Sequence, residues 1–200
     1  KSRRVYPDQY WAEIIAYRIG CMIDVPVPPA FAAWRSDTGE CGALIERFYQ
    51  DDEELCVLAG DLLTRLHPNF DRKKGTTHNL RGASVLLRAI FGALARDRVG
   101  VDWRQWWVNA LFFDALIGNT DRHQDNWALL FLSPNDPSQP FAKRVRLGPC
   151  FDNGTSLGHE RFTSHVQGWD KSAFVRYIDK GKHHIRLNLT TPRQSHFALI

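Results

Sequence analysis

Cysteine is scarce and unpatterned in this chain: Cys21, Cys41, Cys56 and Cys150 are the only four, and no two form a C-x-x-C pair. Neither a zinc knuckle nor a disulfide framework is suggested, and a reducing compartment fits. Long apolar runs are missing too. Residues 110–113 and 128–132 are among the longest, far short of the ~20 residues that cross a bilayer, so no membrane span is expected. No sign of charge dominates, since 26 basic and 22 acidic residues leave +4. That is too mild for a nucleic-acid footprint and suits an anionic ligand as well. The 14 glycines spell neither G-x-G-x-x-G nor G-x-x-x-x-G-K-[ST], which excludes a phosphate-covering loop within these residues.

What remains is an ordinary globular composition. A 44% hydrophobic and 24% charged chain of 200 residues buries enough surface to fold as one domain or two lobes. It starts at Lys1 without a Met or a leader, and reads as a piece of a longer protein. A helix is expected over residues 8–19, with Trp11, Ile14, Ile15 and Ile19 on one stripe and Gly20 at C′. Residues 30–34 and 43–49 read as two strands around a turn, and 55–66 as an apolar helix between polar connectors. Two more helices follow, at 80–94 and from Asp102 to about Ile117. The second is so apolar that it reads as the buried centre of a helical lobe. Residues 127–132 and 144–151 read as strands flanking a proline-rich loop. After Gly158 the pattern loosens, with one apolar cluster at 174–178 ahead of a basic run.

The densest polar chemistry lies between the most apolar helix and the strand after it, in Gly118-Asn119-Thr120-Asp121-Arg122-His123-Gln124-Asp125-Asn126. Polar groups on a loop held by rigid elements suit a functional site. Asp121 and Asn126 are five positions apart, and Asp152-Asn153-Gly154 follows across a hairpin. Phosphoryl transfer needs a carboxylate at the acceptor hydroxyl, with a carboxamide and a second carboxylate for metal ions. Kinases supply them in this order. Hard oxygen donors of this type suit Mg²⁺.

The run from Leu116 to Asn126, with Phe151-Asp152 downstream, resembles the HipA-like serine/threonine kinases, bacterial toxin kinases and their relatives. Its D-R-H-x-x-N order is also similar to phosphoinositide kinases. The resemblance covers about Pro7 to Gly158. It implies an α+β, mainly helical fold: a protein-kinase-like C-lobe with a catalytic β-hairpin, plus a partial N-lobe. Residues 1–50 would be the rear of the N-lobe, with its nucleotide-side helix and hinge strand. Residues 51–200 would be a helical C-lobe cut short at its C-terminus. Asp121 would be the catalytic Asp and His123 a second catalytic-loop residue. Asn126 and Asp152 would bind Mg²⁺, and Glu13 would pair with the nucleotide lysine, for which Lys1 is the candidate. Glu46-Arg47-Phe48 would be the hinge whose backbone meets adenine. ATP and Mg²⁺ are the implied cofactors, and a protein Ser or Thr is the implied acceptor. Aminoacyl-tRNA synthetases are among the family's substrates. An antitoxin partner and a bacterial cytoplasm follow from the same resemblance.

Other functions stay open at this point. Without a phosphate-covering loop, a catalytically weak pseudokinase or a nucleotide- or protein-binding module is one alternative. Gly154-Thr155-Ser156-Leu157-Gly158 fits the G-x-S-x-G elbow of hydrolases, with Asp170 or Asp179 and His183, His184 or His196 as partners in order. Within the kinase resemblance, Ser156 instead caps a turn. Lys180, Lys182, His183, His184 and Arg186 form a basic run that reads as a solvated face, with anion or nucleic-acid contact as its other use. The cluster at Asp71–Gly75 reads as a solvated connector.

Overall fold

The computed structural model describes residues 8–50, 53–92, 102–132, 145–158 and 164–198. Within them lie six α-helices and two small antiparallel sheets. Helix α1 (Gln9–Met22) is followed by the hairpin of β1 (Ala30–Arg35) and β2 (Glu40–Ile45), paired from Ala30 with Ile45 to Arg35 with Glu40. Gly20 does not end α1. It lies inside the helix, where a Cβ would meet the Val27 side chain at 2.5 Å and the Val25 carbonyl at 2.8 Å, so glycine serves close packing there. The stop comes at Ile23 and Asp24, the latter at φ 57°. Strand β2 starts earlier and ends earlier than the apolar pattern suggests, because the turn closes at Gly39 (φ 67°) and fixes the register. Glu46 and Phe48 therefore lie beyond the strand.

The expected helix over 55–66 is two elements. Strand β3 (Glu54–Leu58) runs straight into α2 (Ala59–Leu66). The residues of β3 pair along their length with β4 (Ala128–Leu132), which pairs in turn with β5 (Val145–Leu147), giving the order β3-β4-β5. Strand β5 is shorter than expected: Gly148 N–H still donates to the Ala128 carbonyl of β4 at 2.9 Å, but Pro149 has no N–H to continue the ladder. Arg146 on β5 reaches across the sheet to Glu54 on β3, with Nε–Oε1 at 2.8 Å and Nη2–Oε2 at 2.9 Å.

Helices α3 (Leu80–Gly92) and α4 (Trp103–Ile117) occupy the expected places. Asp102 caps α4 by accepting the Arg104 N–H at 3.0 Å, and Gly118 ends it in the left-handed conformation at φ 66°. The inner face of α4, with Trp106, Trp107, Ala110, Phe113 and Ile117, is buried against Trp127, Leu87 and Leu63. Each large apolar side chain sealed there is worth roughly 1.5–3 kcal/mol. Its other face carries Val108, Phe112 and Leu116 exposed, so the helix is buried on one side only. Two short helices follow, α5 (Ser164–Gln167) and α6 (Lys171–Lys180). Asp170 caps α6 by accepting the Ala173 N–H at 2.8 Å.

The basic run after α6 is not a solvated face. It pairs with the start of α3, where Leu80 N–H donates to the Arg186 carbonyl at 2.8 Å and Arg81 N–H to Leu187 at 3.1 Å. Extended backbone alternates its sides, so His183 and Ile185 are buried while Lys182 is exposed. Among the described residues no helix is long and apolar enough to cross a membrane.

Candidate functional site

The polar loop leaves α4 at Gly118 and is closed by its own hydrogen bonds. Asn119 Nδ2 donates to Asp114 Oδ1 at 3.0 Å, and Asn119 Oδ1 accepts from Asp121 N at 3.0 Å and from Thr155 Oγ1 at 3.1 Å. Asn126 Nδ2 donates to the Asp121 carbonyl at 2.8 Å, which ties the two ends of the five-residue spacing together. His123 Nδ1 accepts the Asp125 N–H at 3.1 Å. With Nδ1 an acceptor, the neutral ring carries its proton on Nε2. The N-terminus of α2 rests on this loop, since Ala59 N–H donates to the Trp127 carbonyl at 3.0 Å and Gly60 N–H to Gln124 at 2.8 Å.

One buried side chain joins the loop to the segment that carries Asp152. Arg122 Nε donates to Asp114 Oδ2 at 3.1 Å and Nη2 to Asp114 Oδ1 at 2.7 Å. Its other N–H groups reach the Asn126 carbonyl at 3.1 Å, the Phe151 carbonyl at 2.5 Å and Asn153 Oδ1 at 2.8 Å. All five guanidinium donors are thus used. Burial opposes this charge, and the Asp114 carboxylate more than offsets it, holding the group above the ordinary arginine range. Asn153 completes the frame by donating Nδ2 to the Cys150 carbonyl at 2.9 Å. The Cys150 thiol itself is pushed up to about 12 by burial.

Asp152 sits at φ 54°, between two residues whose backbones are fixed in this way. Its carboxylate, that of Asp121 and the Asn126 Oδ1 accept no hydrogen bond among the described residues. Three oxygen-bearing side chains are therefore positioned yet uncommitted. Their chemistry fits a hard divalent cation shared with phosphate oxygens. Among the described residues no three His, Cys, Asp or Glu side chains gather into a closed metal cage.

Two cavities meet this frame. One, of about 330 Å³, is lined by Glu13, Glu46, Phe48, Phe151 and Asp152, with Pro28 and Ile45. It brings together four of the side chains that the sequence assigns to the nucleotide and its metal. Phe48 stacks on Phe151, with centroids 5.0 Å apart and planes at 20°, and its carbonyl accepts from Arg146 Nη2 at 3.2 Å. Glu13 Oε2 accepts the Asn153 N–H at 3.0 Å, so α1 is fastened to the Asp152 segment. Burial raises the pKa of Glu13, the Asn153 N–H pulls it back, and the nearby Asp152 charge raises it again. Lys1 lies outside the described residues.

The second cavity, of about 560 Å³, holds Asp121 and His123 together with Arg72, Lys73, Lys74, Gln124, Asp125 and His184. Sequence reasoning passed over Arg72, whose partners Asp61 and Asp125 are distant in the chain. It also passed over Asp114 and Arg122. A signal for Asp114 was present, since it is the one acidic residue in α4 and the helix is otherwise strongly apolar.

Ser156 is not a nucleophile. It is 1% exposed and its Oγ donates to the Asn153 carbonyl at 2.6 Å, capping the turn. A nucleophile elbow needs an exposed hydroxyl on a strand-to-helix turn. Of its supposed partners, Asp170 caps α6, and His183 and His196 face each other with ring nitrogens 3.4 Å apart.

No protein-family model matches this sequence, and no curated protein matches it. Its structure is similar to that of a Helicobacter pylori proinflammatory kinase, CtkA, with a TM-score of 0.64 and 17% sequence identity. The match covers 90% of this chain and 58% of the CtkA chain. The chain thus has a kinase-like fold and spans a little over half the length of that neighbour.

Proposed function

We propose that this chain is the catalytic region of an ATP- and Mg²⁺-dependent kinase of the HipA-like kind, transferring the γ-phosphate to a protein Ser or Thr. The observation that carries this reading is one arrangement. Asp121, Asn126 and Asp152 present uncommitted oxygens on two segments clamped by Arg122, between the Glu13–Phe48 cavity and the Asp121–His123 cleft.

In this reading the smaller cavity takes the adenine and ribose, with the backbone of 46–48 at the base and Phe48 held in place by Phe151. Asn126 and Asp152 hold Mg²⁺, which when bound neutralises the phosphate charge. Asp121 accepts the acceptor's proton while the acceptor oxygen bonds to the γ-phosphorus and the β–γ bridging oxygen leaves on ADP. The Nε2 proton of His123 is left to donate to a phosphate or acceptor oxygen. Glu13 orients the nucleotide lysine, for which Lys1 is the candidate. An aminoacyl-tRNA synthetase as acceptor, an antitoxin partner and a bacterial cytoplasm extend the same reading.

The test pairs calorimetric binding of Mg-ATP with transfer of labelled γ-phosphate to the protein itself or to a lysate. Asp152→Ala is expected to abolish Mg²⁺-dependent binding. Asp121→Asn is expected to keep binding and lose transfer by about 10²–10⁴-fold, the usual worth of a general base. Binding without transfer in the parent would make the chain a pseudokinase, and equal transfer by Asp121→Asn would remove its role.

A further inference from the structure

The turn at Asp71–Gly75 is built against the catalytic loop. Asp71 accepts the Lys74 N–H at 3.1 Å and the Thr76 hydroxyl at 2.8 Å, closing the turn on itself. Gly75, at φ 61°, lies so close to the loop that a Cβ would meet Gln124 Oε1 at 2.5 Å and His184 Cε1 at 2.8 Å. Arg72 is clamped between Asp61 and Asp125, and its carbonyl accepts the Gln124 amide. A connector with no task has no need of this anchoring.

What the anchoring fixes in space is a pair of exposed ammonium groups. Lys73 and Lys74 line the cleft of Asp121 and make no ion pair among the described residues. Among the residues that line the cleft, Arg72 is paired with Asp125, and it also pairs with Asp61 just outside; the lining charges with no ion pair are Asp121 and these two lysines, with Asp71 behind Lys74 in the turn. Gln124, 3% exposed, is also in the lining, and its Oε1 is buried without a hydrogen-bond partner. That oxygen is covered by Gly75, so it fixes the turn against the loop and does not face the cleft.

We propose that this cleft selects an acceptor hydroxyl carried on an anionic peptide segment: a Ser or Thr beside acidic or phosphorylated residues, whose negative groups meet Lys73 and Lys74. This rests on the kinase reading and adds the class of acceptor.

The test uses the full chain with Mg-ATP and four peptides of equal length, the acceptor Ser being flanked by Glu, by phosphoserine, by Ala or by Lys. The Glu or phosphoserine peptide is expected to exceed the Ala peptide about tenfold in kcat/KM, as two solvent-exposed ion pairs would give. The preference should shrink with added salt. In the Lys73→Glu/Lys74→Glu variant the order should invert, with the Lys peptide ahead of the Glu peptide. Whether Glu or phosphoserine leads tells a carboxylate site from a phosphate site, and either supports the proposal. Equal rates on all four peptides in the parent would overturn it and leave the kinase reading standing. ATP turnover with no peptide accepted would do the same. Absence of Mg-ATP binding would overturn the kinase reading, and this proposal with it.

Discussion

Arg122 and Asp114 form a two-pronged ion pair with both side chains out of solvent, 1% and 0% exposed. Asp114 belongs to α4 and Arg122 to the polar loop that follows it, so the pair transfers the rigidity of the core helix to that loop. A buried pair of this sort is costly to break, because the survivor keeps its charge and loses its partner. Asp114→Asn is therefore expected to lower stability by about 3–5 kcal/mol, measured by urea unfolding. Arg122→Lys keeps the charge but offers three donors in place of five. It should fold, and it should raise the Kd for Mg-ATP at least tenfold as Asn126 and Asp152 lose their common anchor, visible in calorimetry against Mg²⁺ concentration. Unchanged Mg-ATP affinity in a folded Arg122→Lys protein would refute the anchoring role.

Glu13 invites a test in which stability and binding move in opposite directions. Its raised pKa comes first from burial, so the ionised carboxylate is costly to the fold and its contribution falls as pH rises through the elevated pKa. Glu13→Gln keeps an oxygen for the Asn153 N–H and removes the charge. The variant should melt no lower than the parent above pH 6, while ATP affinity drops several-fold if Glu13 orients the nucleotide lysine. A lower melting temperature with unchanged ATP affinity would assign Glu13 to structure alone.

Phe48 stacks on Phe151 beside Asp152, and such stacks are worth roughly 0.5–1.5 kcal/mol beyond their buried area. Phe48→Ala should weaken ATP binding about tenfold with little change in kcat, since it widens the cavity without touching Asp121. A fall in kcat at constant KM would contradict its placement on the nucleotide side.

The buried histidines set the response to acid. Burial pulls His78 down to about 3 and His184 and His196 to about 4. In the unfolded chain these rings titrate near 6.5, so below that pH the unfolded chain takes up protons that the fold refuses. Stability is full above about pH 6.5 and falls toward pH 4 by up to about 1.4 kcal/mol per pH unit for each ring. His78→Gln keeps an acceptor for the Trp127 indole N–H, which lies 3.2 Å from His78 Nε2, and it should reduce the slope by one proton. Urea midpoints between about pH 7 and pH 5 measure it; an unaltered slope would show that His78 is not among the titrating groups.

The polar loop was legible as a candidate site because its pattern is local: Asp121 and Asn126 need only their spacing, and the helices before it need only their periodicity. Strand β3 was not, because Leu55-Cys56-Val57-Leu58 is an apolar run that fits either a strand or a helix start, and β4 decides between them from far along the chain. His183 and Ile185 were lost for the same reason, since their burial comes from pairing with the start of α3. Arg72 looked like one charge in a polar cluster until folding brought Asp61 and Asp125 to it. Glu13, Glu46 and Phe48, proposed for the nucleotide side, line one cavity with Asp152, although nothing local in their own neighbourhoods marks them.

Cys150 gives the molecule a gauge of its own motion. Its thiol is buried, protonated at any physiological pH, and sits two residues before Asp152, whereas Cys21 is exposed. An alkylating reagent will reach exposed Cys21 in the folded chain, and Cys150 only when the segment carrying Asp152 lifts from the core. The labelling rate of Cys150 divided by its rate in the urea-unfolded chain gives the equilibrium constant for that opening, and its fall on adding Mg-ATP would measure how firmly nucleotide closes the segment.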